Sequence, residues 1–331
     1  MDYSDVLTAA HRIDGHVLHT PVLEVSPGVF YKLELLQHSG SFKVRGAFNR
    51  MLSAGELPPS GVIAASGGNH GLAVAYAARA LGVRAEIFVP EVTSPVKVAG
   101  LAALGADITQ TGAIYSDAAE AAAKRAAETG ALVVHAYDQA EVVAGQGTTG
   151  LEIVEQTGGV DTVVVAVGGG GLAAGITLGT SGGASRRSPG AASGGGPGRS
   201  PGVAAEPGAV ARPRIVAVEP ERIPTLHEAL RAGKPVPVEV GGVAADALGA
   251  TKLGAIPFGI LSSPRVRSVL VSDEAILQAR RTLWARHRVA AEPAGATAYA
   301  ALLSGAYTPA PGERVAVVLC GSNTDPATLT T

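Results

Sequence analysis

From residue 60 onward the chain repeats one unit: a short β-branched run, a glycine or other small turn, then an alanine-rich stretch of helical length. Residues 61–65 lead into 69–81, 84–89 into 94–104, 106–109 into 115–128, and 131–135 into 142–156. Strands that return through a helix run parallel, so the repetition predicts βα units on a parallel sheet. A second series begins at 162–167, an uninterrupted apolar run suited to a strand covered on both faces. It continues at 214–218 and closes at 314–319, with helices expected over 273–286 and 293–303. The expected fold class is α/β: two open, largely parallel sheet domains with helices on both faces.

Composition supports two cores. Of 331 residues 47% are apolar and only 16% charged, which supplies material to bury and lacks the signature of disorder. The formal net charge of -2 gives no electrostatic reason to expect a nucleic acid or an anionic membrane, and a small ligand is the expected partner. Cys320, the one cysteine, cannot form an internal disulfide, and no Cys/His spacing resembles a zinc site. The acidic start lacks the basic and apolar regions of a secretory signal. The most apolar long stretch, 160–178, contains Asp161 and five glycines, unlike a membrane span. A cytoplasmic location is expected. Residues 179–212 hold ten Gly, four Pro and five Ser and no Leu, Ile, Phe or Tyr, so burial cannot offset their ordering entropy. They are expected to form a flexible insertion within one domain; a domain linker is the other reading.

Three small-residue clusters stand at strand-to-helix junctions: 66–71, 168–172 and 320–323. In open α/β sheets ligands bind at the carboxyl ends of strands, where such junctions lie. Consecutive Gly168, Gly169, Gly170 and Gly171 let backbone N–H groups converge on an anion while the following helix presents its positive end, which suits a phosphate. Tight helix–sheet packing and a loose dinucleotide fingerprint, with Glu219 as the later acid, are rival readings of the same glycines. Upstream, Lys43 follows a Ser/Gly turn at a predicted helix start. A cation is disfavoured there by the helix dipole, and that same field favours the neutral amine needed to attack a carbonyl. By itself such a lysine is more often a solvated surface group.

The motifs Ser41-Phe42-Lys43-x-Arg45-Gly46-Ala47, Ser66-Gly67-Gly68-Asn69-His70-Gly71, Gly145-Gln146-Gly147-Thr148 and Gly168 to Leu172 occur in this order. In order and spacing the chain resembles the pyridoxal-phosphate-dependent serine/threonine dehydratases, of fold type II or tryptophan-synthase-β-like architecture, from about Asp5 to Asp325. The resemblance implies a large cofactor-binding domain, residues 1–44 and 145–331, a small domain, 45–144, and a homodimer. It implies that Lys43 holds pyridoxal phosphate covalently and, once freed by the substrate amine, moves the Cα proton. Gly168, Gly169, Gly170, Gly171 and Leu172 would hold the phosphate, Asn69 the 3-oxygen, and Phe42 one face of the ring. Cys320 would face the pyridine nitrogen, Ser66, Gly67, Gly68 and His70 would receive the substrate carboxylate, and Ser66 is expected beside Lys43 among the catalytic residues. The activity implied is β-elimination of water from L-threonine or L-serine, giving a 2-oxo acid and ammonia.

Departures from the family pattern sharpen this. A thiol at Cys320 protonates a pyridine nitrogen less firmly than a carboxylate would, which moderates the electron sink and favours elimination over a long-lived carbanion. Gly67 stands where related racemases place a serine as second acid/base. Glu219 matches a cation-site acid, yet Ile223 and Thr225 supply no second carboxylate, so a monovalent cation held by Glu219 and backbone carbonyls and a helix-start acid are equal readings. Glu292 matches a further acid near the site, and the 241–249 segment resembles the cofactor-flanking loop, with Val243 and Ala244 expected near the ring. No regulatory domain is matched after Asp325, so feedback inhibition through one is not expected. β-Replacement, racemisation and a noncatalytic cofactor or nucleotide module are the competing functions.

Overall fold

The computed structural model describes residues 1–182 and 212–330. Residues 183–211, most of the insertion expected over 179–212, lie outside the described residues. Among the described residues ten strands form two sheets: β1 (Val22–Ser26), β2 (Val29–Lys32), β3 (Val62–Ala65), β4 (Ala85–Val89), β5 (Asp107–Gln110), β6 (Leu132–Val133), β7 (Thr162–Ala166), β8 (Arg214–Pro220), β9 (Val266–Val271) and β10 (Val315–Val318). The larger sheet has the order β1-β2-β10-β7-β8-β9 and the smaller β5-β4-β3-β6. Every pairing is parallel except β1 with β2, an antiparallel hairpin at the edge of the larger sheet. The helices are α1 (Tyr3–Ile13), α2 (Lys43–Ser53), α3 (Asn69–Ala80), α4 (Pro95–Ala103), α5 (Tyr115–Thr129), α6 (Ala140–Thr157), α7 (Gly171–Gly179), α8 (Thr225–Ala232), α9 (Ala245–Leu248), α10 (Ala255–Leu261), α11 (Asp273–His287) and α12 (Pro293–Leu303).

Each sheet builds its own core. The central strand β7 is buried at every residue, and Val163, Val164 and Val165 pack with Ile215 and Val317 in the larger core. Each such valine contributes roughly 1.5–3 kcal/mol by leaving water. In the smaller core Val62, Ile87 and Val89 meet Val44, Ala47, Phe48 and Met51 of α2. Lys43 therefore stands where the chain leaves the larger sheet for the smaller core. Its approach is fixed by an isolated bridge between Ser41 and Gly321 and by Phe42 N donating to Cys320 O at 3.2 Å.

Behind Lys43, α2 is held by a buried charge network. Arg45 forms two parallel hydrogen bonds with Glu34, each 2.7 Å, and reaches both Glu152 oxygens at 2.6 and 3.0 Å. Lys32 donates to Glu152 at 2.5 Å and to the Thr20 carbonyl at 2.7 Å. Lys32, Glu34 and Arg45 are fully buried. The four charges balance, which is what makes their burial tolerable. The 145–148 motif lies inside α6, where a side chain at Gly145 would meet the Arg45 carbonyl at 2.6 Å, so this glycine permits the close crossing of α6 and α2.

Candidate active site

The three junctions picked out in the sequence converge. The loops after β3, β7 and β10 meet the start of α2, and Phe42, Lys43, Asn69, Gly168, Gly169, Gly170, Gly171, Leu172, Glu292 and Cys320 line one cavity. A second cleft of about 460 Å³ adjoins it, sharing Lys43 and Asn69 and adding Ser66, Gly67, Gly68 and His70. The larger sheet thus brings the glycine loop and Cys320, the smaller sheet brings the 66–70 loop, and Lys43 lies between them.

The Lys43 amine donates to the Ala136 carbonyl at 2.8 Å and lies 5.2 Å from the centre of the Phe42 ring. Burial pushes it down to about 8, against the opposing pull of Cys320 and Glu292. The lowering agrees in direction with the sequence reading, but its leading cause is desolvation rather than the helix dipole. Burial pushes the Cys320 thiol up to about 12, assisted by Glu292, so it stays protonated at neutral pH; its Sγ donates to the Ala294 carbonyl at 3.7 Å.

The glycine loop meets the requirements of a phosphate cradle. Gly170 has φ of +90°, open to glycine at little cost, and a Cβ on Gly169 would overlap the Tyr137 ring. The Gly168 carbonyl accepts from Thr225 Oγ1 at 2.5 Å and the Gly169 carbonyl from Gly254 N at 3.1 Å, so both acceptors are engaged by residues outside the cavity. The N-terminus of α7 completes the loop.

Asn69 opens α3, and its amide is clamped. Nδ2 donates to Glu292 Oε1 at 2.6 Å, while Oδ1 accepts from Asn323 Nδ2 at 2.7 Å. This fixes which end of the amide carries its remaining N–H donor. Burial pushes the Glu292 carboxyl up to about 7 against the hydrogen bond from Asn69. Between its ordinary value and about 7 the folded chain therefore holds a proton that the unfolded chain has released, and stability falls as pH rises through that window. Glu292→Gln keeps the acceptor for Asn69. It is expected to leave the melting temperature of the cofactor-free protein nearly unchanged below about pH 4 and raise it near about pH 8, measured by calorimetry.

Ser66 Oγ accepts from Gly68 N at 3.2 Å, closing its own loop. His70 lines the cleft, yet its Nε2 bonds the Val134 carbonyl at 2.8 Å, and burial, with Lys43 nearby, pushes it down to about 3; it is a neutral anchor for the 66–70 loop. Glu219, read as a cation site or a helix-start acid, uses its carboxylate on the start of α8: it accepts from Leu226 N at 2.6 Å, His227 N at 2.9 Å and Thr225 Oγ1 at 3.1 Å. Burial still pushes it up to about 7, and through Thr225 it braces the Gly168 carbonyl. Among the described residues no cluster of three or more His, Cys, Asp or Glu is arranged to hold a metal. Within the expected 241–249 segment it is Ala247 and Leu248 of α9 that line the cavity rather than Val243 and Ala244, because Ala244 is packed into the larger core. Tyr137, which lines both cavities, escapes the sequence reading, although it lies just beyond the carboxyl end of β6, where a ligand contact is expected.

A poised buried amine, a neutral thiol, a side-chain amide and a phosphate cradle fit pyridoxal phosphate. Residues 13–321 match the family model described as pyridoxal-phosphate dependent enzyme. The chain belongs to this family. L-threonine ammonia-lyase from Geobacter sulfurreducens is 38% identical to it over 302 residues, covering 91% of this chain and 68% of that protein. Phenylserine dehydratase from Ralstonia pickettii is 34% identical over 337 residues, covering 99% of this chain and 94% of its own. Among solved structures of the family, the threonine deaminase of T.th. superposes with a TM-score of 0.81 at 34% identity, covering 98% of this chain and 99% of that one.

Proposed function

We propose that this family member is an ammonia-lyase that eliminates water from a β-hydroxy amino acid, L-threonine or L-serine in the first instance, releasing a 2-oxo acid and ammonia. The observation that carries this reading is the Lys43 amine, held near neutrality by burial and sharing one cavity with the glycine loop and the protonated Cys320 thiol. Pyridoxal phosphate, when bound, supplies the electron sink that acidifies the substrate Cα–H. Gly168, Gly169, Gly170 and Gly171 would hold its phosphate, Asn69 would donate its remaining N–H to the 3-oxygen, and the 66–70 loop would orient the substrate carboxylate. Lys43 Nζ takes the Cα proton and, as the ammonium, can return it to the departing β-hydroxyl. Water then hydrolyses the released enamine and its imine tautomer to the 2-oxo acid and ammonia. A neutral thiol at Cys320 draws less electron density than a full positive charge on the ring nitrogen would, which favours prompt loss of the hydroxyl. Gly67 offers no second acid/base for racemisation.

The deciding assay is 2-oxo acid release from L-serine, L-threonine and L-threo-3-hydroxyaspartate by the cofactor-loaded protein. Product from at least one is expected. If the protein binds pyridoxal phosphate and yields none from these three or from a bulkier 3-hydroxy amino acid, racemisation and β-replacement take its place. A homodimer in the cytoplasm is part of the same proposal, and light scattering at twice the 33.0 kDa chain mass checks the assembly. No helix among the described residues is long and apolar enough to cross a membrane.

A further inference from the structure

The cleft beyond Lys43 has a charge and shape pattern of its own. The polar 66–70 loop lines it together with Pro90, Val92, Tyr115, Tyr137 and Ala250, with Thr93, Ser94 and Thr251 interleaved among them. Aromatic residues are scarce in this chain, yet two of its seven tyrosines stand here. The Tyr137 ring is fixed, edge-on to His135 with centres 4.9 Å apart and its hydroxyl donating to the Lys252 carbonyl at 3.3 Å. Val92 and Tyr115 are instead uncovered, with 79% and 51% of their surfaces exposed. Apolar surface left open beside a reactive amine calls for an apolar occupant.

An acidic occupant has no partner here. Apart from Lys43, the cationic side chain lining the cleft is Lys97, and it is ion-paired with Asp246, which lines the same cleft. His70 is neutral. A carboxylate on the substrate Cβ would therefore enter a cleft that already holds Asp246, without a free cation among the described residues to meet it. A methyl or hydrogen on Cβ would leave Val92 and Tyr115 as open as they are now.

We propose that Val92, Tyr115 and Tyr137 form a subsite for an aromatic substituent on Cβ, making aryl-substituted 3-hydroxy amino acids the preferred substrate class. This rests on the lyase reading above and specifies it. For 3-phenylserine the Cα–H and Cβ–O bonds break, one water leaves, and hydrolysis then uses one water to release ammonia. The products are 3-phenyl-2-oxopropanoate and ammonia, with no oxidant or reductant required.

The test compares kcat/KM for L-threo-3-phenylserine, L-threonine, L-serine and L-threo-3-hydroxyaspartate, read as ammonia release, in the wild-type holoenzyme and in Tyr115→Ala and Val92→Ser. The phenyl substrate is expected to exceed L-threonine by at least about tenfold, since even a single methylene in an apolar pocket is worth about that much. The ratio of phenylserine to threonine is expected to fall about tenfold in Tyr115→Ala and by a smaller factor in Val92→Ser. A preference for threonine, serine or hydroxyaspartate, or a ratio unmoved by both variants, overturns the subsite while the lyase reading stands. Ammonia from none of the four overturns the lyase reading and the subsite with it.

Discussion

Lys43→Ala is expected to reduce 2-oxo acid formation by at least about 10²–10⁴-fold, the range over which a positioned acid/base acts, while leaving the fold intact. The side chain contributes one hydrogen bond, to the Ala136 carbonyl, so its loss removes chemistry rather than architecture. Circular dichroism of the variant should match the wild type. The lowered amine also predicts how the cofactor is taken up. The neutral amine is the nucleophile, and burial brings its midpoint to about 8. Near neutral pH about one chain in ten then carries the reactive form, against about one in several thousand for an ordinary lysine. Covalent capture of pyridoxal phosphate by the cofactor-free protein should accelerate as pH rises through about 8 and level off above it, followed by absorbance after rapid mixing. An inflection near the ordinary lysine value would show that burial does not set the midpoint.

The sequence was most legible where burial is symmetrical. Strands β3 and β7 and the 215–218 stretch of β8 are covered on both faces and read as continuous apolar runs, so their helices and junctions, and with them the ligand-facing loops, could be placed within a residue or two. The edges were harder. In β9 buried and half-exposed positions are mixed, and β2 ends on Lys32, whose charge interrupts the apolar pattern although the residue is fully buried. A charged residue at a core position reads as a loop until its partners are known, and Glu34, Arg45 and Glu152 are brought to it by folding alone. The site divides in the same way. Lys43, Asn69, Cys320 and the four glycines were visible because their chemistry lies in local motifs. The clamp of Asn69 between Glu292 and Asn323 joins residues 223 and 254 positions away, and no local spacing encodes it. Glu219 carried two readings, a cation site and a helix-start acid, and its carboxylate accepts from the N–H groups that open α8, which matches the second.

Arg45→Met is expected to be the most destabilising single change among the residues around the site, by about 3–5 kcal/mol in urea unfolding. Methionine occupies a similar volume, so the loss is electrostatic. Glu34 and Glu152 would remain buried with Lys32 as their one cationic partner, at 4.0 and 2.5 Å. Burial alone would raise the Glu34 carboxyl, but Arg45 and Lys32 hold it below its ordinary value in the wild type. Its contribution to stability is therefore present above the ordinary carboxyl range and lost as pH falls through the folded value. Without Arg45 the opposing charge is halved and the carboxyl rises, so the variant takes up a proton more readily on folding. The stability gap between wild type and variant should accordingly narrow as the medium is acidified below about pH 5. Adding Glu34→Leu to Arg45→Met removes the stranded charge and should recover part of the loss, whereas independent effects would make the double variant worse than either single one. Because Arg45 lies two residues beyond Lys43 on α2, the single variant should also bind pyridoxal phosphate more weakly, and the double variant should regain stability without regaining that affinity, since the guanidinium that locks the start of α2 is still missing.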